Sequence, residues 1–228
     1  MGGVLLWEMG RRGPVTVVLV PTRELAMQVR DELHWLFGAV RGVGIEVVMG
    51  GTSIGVERRA LSRKPQVVVG TPGRTLDHLK ANALICGDVK HVVLDEADRM
   101  LDMGFTDEID AILAFVPSRR QTLLFSATYP EAIADISARI QTKPRTVDVT
   151  GDEQAVQITQ TWCSVDRETR SRDLLRVLRA WGGELNLVFC NTKIDCAEVA
   201  SYLQRENIVA IALHGDLDQT QRNQVLVR

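Results

Sequence analysis

Five short runs rich in β-branched and aliphatic residues recur through the first two thirds of the chain: Val15 to Val20, Ile45 to Met49, Gln66 to Val69, His91 to Leu94 and Thr122 to Phe125. Each is followed by an amphipathic or capped segment of helical character. After Thr22, for example, Leu25, Val29, Leu33 and Leu36 recur at helical spacing. Runs this apolar need cover on both faces, and their alternation with helices specifies a parallel sheet with helices on either side. The expected class is therefore α/β.

The rhythm breaks once. After Pro144 comes a last β-like run, Thr146 to Val149, and then the polar stretch Thr150-Gly151-Asp152-Glu153-Gln154, the best linker in the sequence. Beyond it the pattern restarts. A run from Ile158 to Val165 precedes a helix carrying Leu174, Leu175, Leu178 and Trp181; a strand from Leu185 to Cys190 precedes a helix through Val199 and Leu203. Residues 1–149 thus read as a first domain, 150–157 as a linker and 158–228 as the beginning of a second α/β domain. With 45% hydrophobic and 25% charged residues, 228 positions suffice for one to two cores.

The strand ends carry the chemistry. Asp95-Glu96-Ala97-Asp98 directly follows Val92-Val93-Leu94 and so sits at the C-terminal lip of a buried strand, where open α/β sheets hold ligands. Adjacent carboxylates there suit nucleotide hydrolysis: Asp95 can hold a magnesium ion through water, and Glu96 can orient or deprotonate the attacking water. A solvated acidic turn is the plainer alternative. Thr22 and Thr71 each stand at the N-cap of a helix that follows a strand, with Arg23 and, after Pro72 and Gly73, Arg74 close behind. Both are natural phosphate seats, since a helix start offers free N–H groups beside a cation. Gly50-Gly51 is a turn, or a place where another backbone approaches closely. Ser126-Ala127-Thr128 and Asn191-Thr192 each end a strand and begin a helix, and each also suits a plain cap.

Pro21-Thr22-Arg23-Glu24-Leu25-Ala26, Gly50-Gly51, Thr71-Pro72-Gly73-Arg74, Asp95-Glu96-Ala97-Asp98, Ser126-Ala127-Thr128 and Gln219-Thr220-Gln221-Arg222 follow one another in the order of a single family. The chain resembles the helicase core of DEAD-box ATP-dependent RNA helicases from its first residues to its last. The stretches Asp95 to Phe105 and Val188 to Lys193 look most like the bacterial DbpA subgroup. The resemblance implies two RecA-like domains, the first incomplete, with ATP and magnesium as cofactors and RNA as partner. It implies catalysis by Asp95 and Glu96, with Asp98, Ser126 and Thr128 coupling hydrolysis to strand separation. It implies RNA-backbone contacts at Thr22, Arg23, Gly50, Gly51, Thr71, Pro72, Gly73, Arg74, Asn191, Thr192, Gln219 and Arg222. Ribosome assembly, and ribosomal RNA as target, follow from the subgroup.

Two elements of the family pattern are missing from the sequence: it contains no Gly-x-x-x-x-Gly-Lys-Ser/Thr and no Gly-Lys dipeptide, and it stops at Arg228 before the family's arginine-rich segment with its arginine finger. The resemblance therefore implies truncation at both ends, loss of the strand beside Thr122 to Phe125, an exposed sheet edge, and a chain inactive towards ATP by itself. A non-catalytic RNA-binding or regulatory fragment is the alternative. The formal charge of −2 excludes a bulk polycation but not a local basic face. Arg11-Arg12, Arg58-Arg59 and Arg119-Arg120 read as solvated pairs, and the four tryptophans as packing residues. Cys86, Cys163, Cys190 and Cys196 lack metal-ligand spacing, and His34, His78, His91 and His214 show no metal pattern. With no signal-peptide core and no apolar run long enough to span a bilayer, the cytoplasm is expected.

Overall fold

The computed structural model describes residues 13–149 and 158–226. The chain divides into two compact units, Met1–Thr146 and Val147–Arg228. The expected linker, residues 150–157, lies outside the described residues.

The first unit is built on a five-stranded sheet in which every pairing is parallel, with β1 (Thr16–Leu19), β2 (Ile45–Val48), β3 (Val67–Gly70), β4 (His91–Leu94) and β5 (Gln121–Leu124) in the order β2-β3-β1-β4-β5. All five expected runs form strands. The ends are flush: Leu19 stands opposite both Gly70 and Leu94, Val48 opposite Gly70, and Leu94 opposite Leu124. Every strand therefore ends on one lip.

Alternation along the strands explains the two layers of helix. Val17, Leu19, Val68, Val92 and Leu94 face α3 (Pro72–Lys80), α4 (Ala97–Asp102), α5 (Thr106–Ala114) and α6 (Glu131–Ile140) through Leu76, Leu79, Met100, Ile109, Ile112 and Ile133. Val18, Val20, Val67, Val69 and Val93 point the other way, onto α1 (Arg23–Phe37) through Ala26, Leu33 and Phe37. Burial on both faces is what parallel pairing requires. One position of α1 departs from expectation: Leu36 is exposed and Phe37 takes the core site. The helix, at about 3.6 residues per turn, carries Ala26, Leu33 and Phe37 round on one stripe. Between β2 and β3 lies α2 (Ile54–Leu61), which buries Glu57 and Leu61.

The strand β5 is an edge among the described residues, and it is less buried than the other four. Residues 121, 123 and 125 pair towards β4, so Thr122 and Leu124 turn their backbone outward. The Thr122 carbonyl accepts from Gln141 Nε2 at 2.9 Å, and Gln141 is itself held by the Ser137 hydroxyl at 2.6 Å.

The second unit contains α7 (Arg170–Trp181), α8 (Lys193–Arg205) and α9 (Gln219–Leu226). Leu175, Ala200 and Leu203 are its buried apolar residues among those described. Three sequence expectations fail here and at the unit boundary. Thr146 to Val149, Ile158 to Val165 and Leu185 to Cys190 form no strand among the described residues. A strand exists only where a neighbour completes its ladder, and these stretches pair with none among the described residues; Leu185, Leu187 and Phe189 stand more than four-fifths exposed. Trp35, Trp162 and Trp181 are likewise on the surface, and Trp7 is outside the described residues.

Candidate nucleotide and nucleic-acid site

The lip of the first unit brings together the residues singled out at five strand ends. After β1, Thr22 is extended at φ −126° and its hydroxyl accepts the Leu25 N–H at 3.2 Å, capping α1. Arg23 follows at the surface, its guanidinium lying against Gly50 and Gly51 after β2. Gly51 has φ +84°, the left-handed region glycine adopts freely, and an added Cβ would meet Arg23 Nη1 at 2.5 Å. The left-handed backbone favours glycine at 51, whereas the Arg23 guanidinium, the end of a flexible side chain, could shift to admit a Cβ.

After β3, Thr71 is extended and its N–H donates to the Val48 carbonyl at 3.1 Å, tying the β2 and β3 ends together. Pro72 occupies the first helical position of α3, which needs no N–H. The Thr71 hydroxyl makes no cap bond; its carbonyl accepts from both the N–H and the hydroxyl of Thr75. A Cβ on Gly73 would meet open space, so this helix start is accessible. Arg74, one turn in, points inward: its Nη1 lies 2.8 Å from Glu57 Oε2 and 3.3 Å from the Thr52 carbonyl.

Glu57 was not legible as a site residue, and neither was His78. Glu57 is 4% exposed and His78 1%, and they meet across 21 positions of sequence at 2.6 Å, His78 Nε2 to Glu57 Oε2. The other carboxylate oxygen accepts from the Met49 N–H at 2.9 Å and from the Thr52 hydroxyl, which also lies 2.8 Å from the Met49 carbonyl. Burial pushes the Glu57 carboxyl up, but hydrogen bonds from Thr52, His78, the Met49 N–H and Arg74 outweigh it and hold the group below its ordinary range. The available signal was a carboxylate four residues before Leu61, on the buried stripe of α2.

After β4, the Asp95 N–H donates to the Leu19 carbonyl at 3.0 Å, and Asp95 Oδ1 accepts the Glu96 N–H at 3.0 Å. Glu96 is exposed and left-handed, φ +50° and ψ +51°, a conformation uncommon outside glycine, asparagine and aspartate. It turns the chain sharply from strand into α4, with Asp95 half-buried and Glu96 exposed at the turn. The Ala97 N–H then donates to the Phe125 carbonyl at 3.0 Å, anchoring the turn to the end of β5. Asp98 Oδ2 accepts from the Thr128 N–H at 3.0 Å and the Thr128 hydroxyl at 2.8 Å, while Oδ1 accepts the Arg99 N–H at 3.1 Å. Burial raises the Asp98 carboxyl, but these donors, the Thr128 hydroxyl first, bring it below the usual aspartate value. Ser126 donates to the Thr128 carbonyl at 2.6 Å and so shapes the loop that carries Thr128.

No group of three or more His, Cys, Asp or Glu side chains among the described residues could hold a metal. Asp95 nevertheless fits magnesium, a cation usually bound through one or two carboxylates with several waters and the substrate's phosphates. Its carboxylate is half-buried at the lip and carries one backbone donor on Oδ1.

In the second unit, Thr192 caps α8: its hydroxyl lies 3.0 Å from the Asp195 N–H and 2.8 Å from Asp195 Oδ2. The Thr192 hydroxyl, followed by Arg170, lowers the Asp195 carboxyl. Asn191 is exposed beside it. At α9, Gln219 is buried and Arg222 Nη1 donates to the His214 carbonyl at 3.4 Å. Cys86 is buried, its thiol pushed up to about 12 by desolvation; Cys163 is exposed, Cys190 and Cys196 are half-exposed, and all four are free. No helix among the described residues is long and apolar enough to cross a membrane.

Known proteins share this pattern. The family model described as DEAD/DEAH box helicase matches residues 4–136. The ATP-dependent RNA helicase DbpA of Escherichia coli K12 is 43% identical over 93% of the chain and 46% of its own length. The DEAD-box ATP-dependent RNA helicase CshA of Geobacillus kaustophilus is 44% identical over 92% of the chain and 45% of its own. Dbp5 from S. cerevisiae, solved bound to RNA and ADP BeF3, superposes with a TM-score of 0.81 at 26% identity, covering 99% of this chain and 58% of that one. The chain spans about half the length of the curated relatives it matches. Its sheet, its strand-end motifs and these likenesses agree on a RecA-like α/β fold, and the chain belongs to the DEAD/DEAH box helicase family.

Proposed function

We propose that the protein this chain represents is an ATP-dependent RNA helicase that hydrolyses ATP and parts short RNA duplexes in the cytoplasm, with ribosomal RNA during ribosome assembly as its substrate. The observation that carries this reading is the flush lip, from which the Asp95-Glu96 pair and the segments at Thr22-Arg23, Gly50-Gly51 and Thr71 to Gly73 all start on one sheet.

The labour divides along the sheet order. Over β4 and β5, Glu96 accepts the proton of the water that attacks the γ-phosphate, and Asp95 would hold a magnesium ion through water. When bound, magnesium neutralises charge on the phosphate oxygens. Asp98 transmits the state of this half to the β5 loop through Thr128, with which it shares two hydrogen bonds. Over β1, β2 and β3, the segments at Thr22-Arg23, Gly50-Gly51 and Thr71 to Gly73 hold an RNA strand by its phosphates. Asn191, Thr192, Gln219 and Arg222 supply further backbone contacts from the second unit.

Phosphoryl transfer also needs a lysine-bearing phosphate loop, and these 228 residues contain no Gly-Lys dipeptide. The chain by itself is accordingly expected to be inactive towards ATP. The test is RNA-stimulated ATP hydrolysis, in magnesium, by this chain, by the whole gene product, and by the whole product with Glu96→Gln. Turnover in the whole product alone, reduced about a hundredfold or more by Glu96→Gln, supports the reading. Turnover undiminished by Glu96→Gln would remove Glu96 from its role, and no turnover in any sample would leave an RNA-binding module.

A further inference from the structure

Glu57 has no part in the chemistry above, yet it is the most heavily engaged carboxylate described in the first unit. Four donors converge on it from two separate segments. The Met49 N–H and the Thr52 hydroxyl flank the Gly50-Gly51 doublet. Arg74 and His78 lie on successive turns of α3, the helix that Thr71, Pro72 and Gly73 begin. Arg74 also reaches the Thr52 carbonyl, so the cross-links run both ways.

We propose that Glu57 is a positioning residue that locks the Gly50-Gly51 loop to the start of α3, and that Arg74 serves as its strut instead of as a phosphate contact. The inference rests on the RNA reading above and deepens it. Two phosphate seats on separate loops bind one strand well only if their spacing matches the spacing of successive phosphates, and preset spacing avoids an ordering cost at binding. A buried carboxylate with its lone pairs occupied resists rotation, because any rotamer change would strand several donors. The guanidinium of Arg74 is committed: its side chain is 13% exposed and lies 2.8 Å from the carboxylate. An arginine so paired adds little to the field at the surface. It acts on RNA through the loop it holds.

The test uses the whole gene product and a short fluorescein-labelled single-stranded RNA, with a non-hydrolysable ATP analogue present. Affinity is read by anisotropy across a salt series for the native protein, Arg74→Ala, Glu57→Gln and the double variant. Circular dichroism sets a temperature at which each is folded. If Arg74 is a strut, Arg74→Ala weakens RNA binding about tenfold while the slope of log affinity against log salt stays as in the native protein. The double variant is then no weaker than the worse single one, because both changes break one unit. If instead Arg74 touches phosphate, its removal lowers the magnitude of the slope by about 0.7, and Glu57→Gln, which frees a cation, leaves affinity unchanged or higher. That result overturns the inference. Should Glu57→Gln fail to fold, the slope of Arg74→Ala decides the question alone. Failure of the native protein to bind the RNA would overturn the function reading itself, and this inference with it.

Discussion

At the scale of single residues, the lip is governed by carboxylates in unequal settings. Asp95 and Glu96 face solvent to different degrees, whereas Glu57, beside the loop that follows β2, is buried. Its depressed carboxyl has a definite thermodynamic sign. A group held below its unfolded value contributes stability that is complete above the ordinary glutamate range and disappears as pH falls through the lower, folded value. Arg74 and His78 are the charged or titratable groups that face it. At neutral pH, Glu57→Gln should lower stability by about 3 kcal/mol, since it leaves the largely buried Arg74 guanidinium with a weaker, uncharged acceptor. The gap in melting temperature from the native chain should narrow steadily as pH drops below the carboxylate range. A gap independent of pH would show that Glu57 works by shape and not by charge. The same residue marks a limit of reading by eye. Thr22, Arg23 and Thr71 announce themselves by standing between a strand and a helix, but Glu57 sits in a segment, Val56-Glu57-Arg58-Arg59, that resembles any solvated helix. Its partners lie 17 and 21 positions away. Only the folded sheet brings α2 and α3 together.

At the scale of elements, the strands were readable because β1, β3 and β4 are buried on both faces and β2 and β5 keep an aliphatic residue on each, and the helices because Ala26, Leu33 and Phe37, or Ile133 and Ile136, recur on one stripe. The runs at Thr146 to Val149, Ile158 to Val165 and Leu185 to Cys190 have equally β-like composition and yet form no strand among the described residues. Composition supplies a strand's side chains and cannot supply its neighbour. The edge strand β5 shows what that neighbour is worth. Its outward Thr122 carbonyl is met by one amide, from Gln141, and an edge with free backbone groups is a template for other chains. Gln141→Ala should therefore raise light scattering at fixed protein concentration. Gln121→Lys, which adds charge at an exposed position of the same edge, should lower it. Equal scattering from all three proteins would mean that self-association, where present, starts elsewhere.

At the scale of the molecule, the reading predicts how RNA is held. Seats built from helix starts and glycine backbone grip phosphate and ignore bases, so the affinity of the whole gene product should fall steeply with salt and differ little among unstructured RNAs of one length. Competition binding at two ionic strengths checks both. A strong preference for one base sequence would place recognition outside these segments. The flush ends of the strands have a further consequence. Val48, Gly70, Leu19, Leu94 and Leu124 finish level across the sheet, and the loops of the candidate site begin from that line. Each residue of strand advances the chain by about 3.3 Å and inverts its faces. A single insertion within β4 would then sink or lift Asp95 by more than a hydrogen bond can stretch, while exchanging its buried side for its neighbour's. The sheet is thus a ruler as well as a scaffold, and evolution can lengthen the loops far more easily than the distances between their roots.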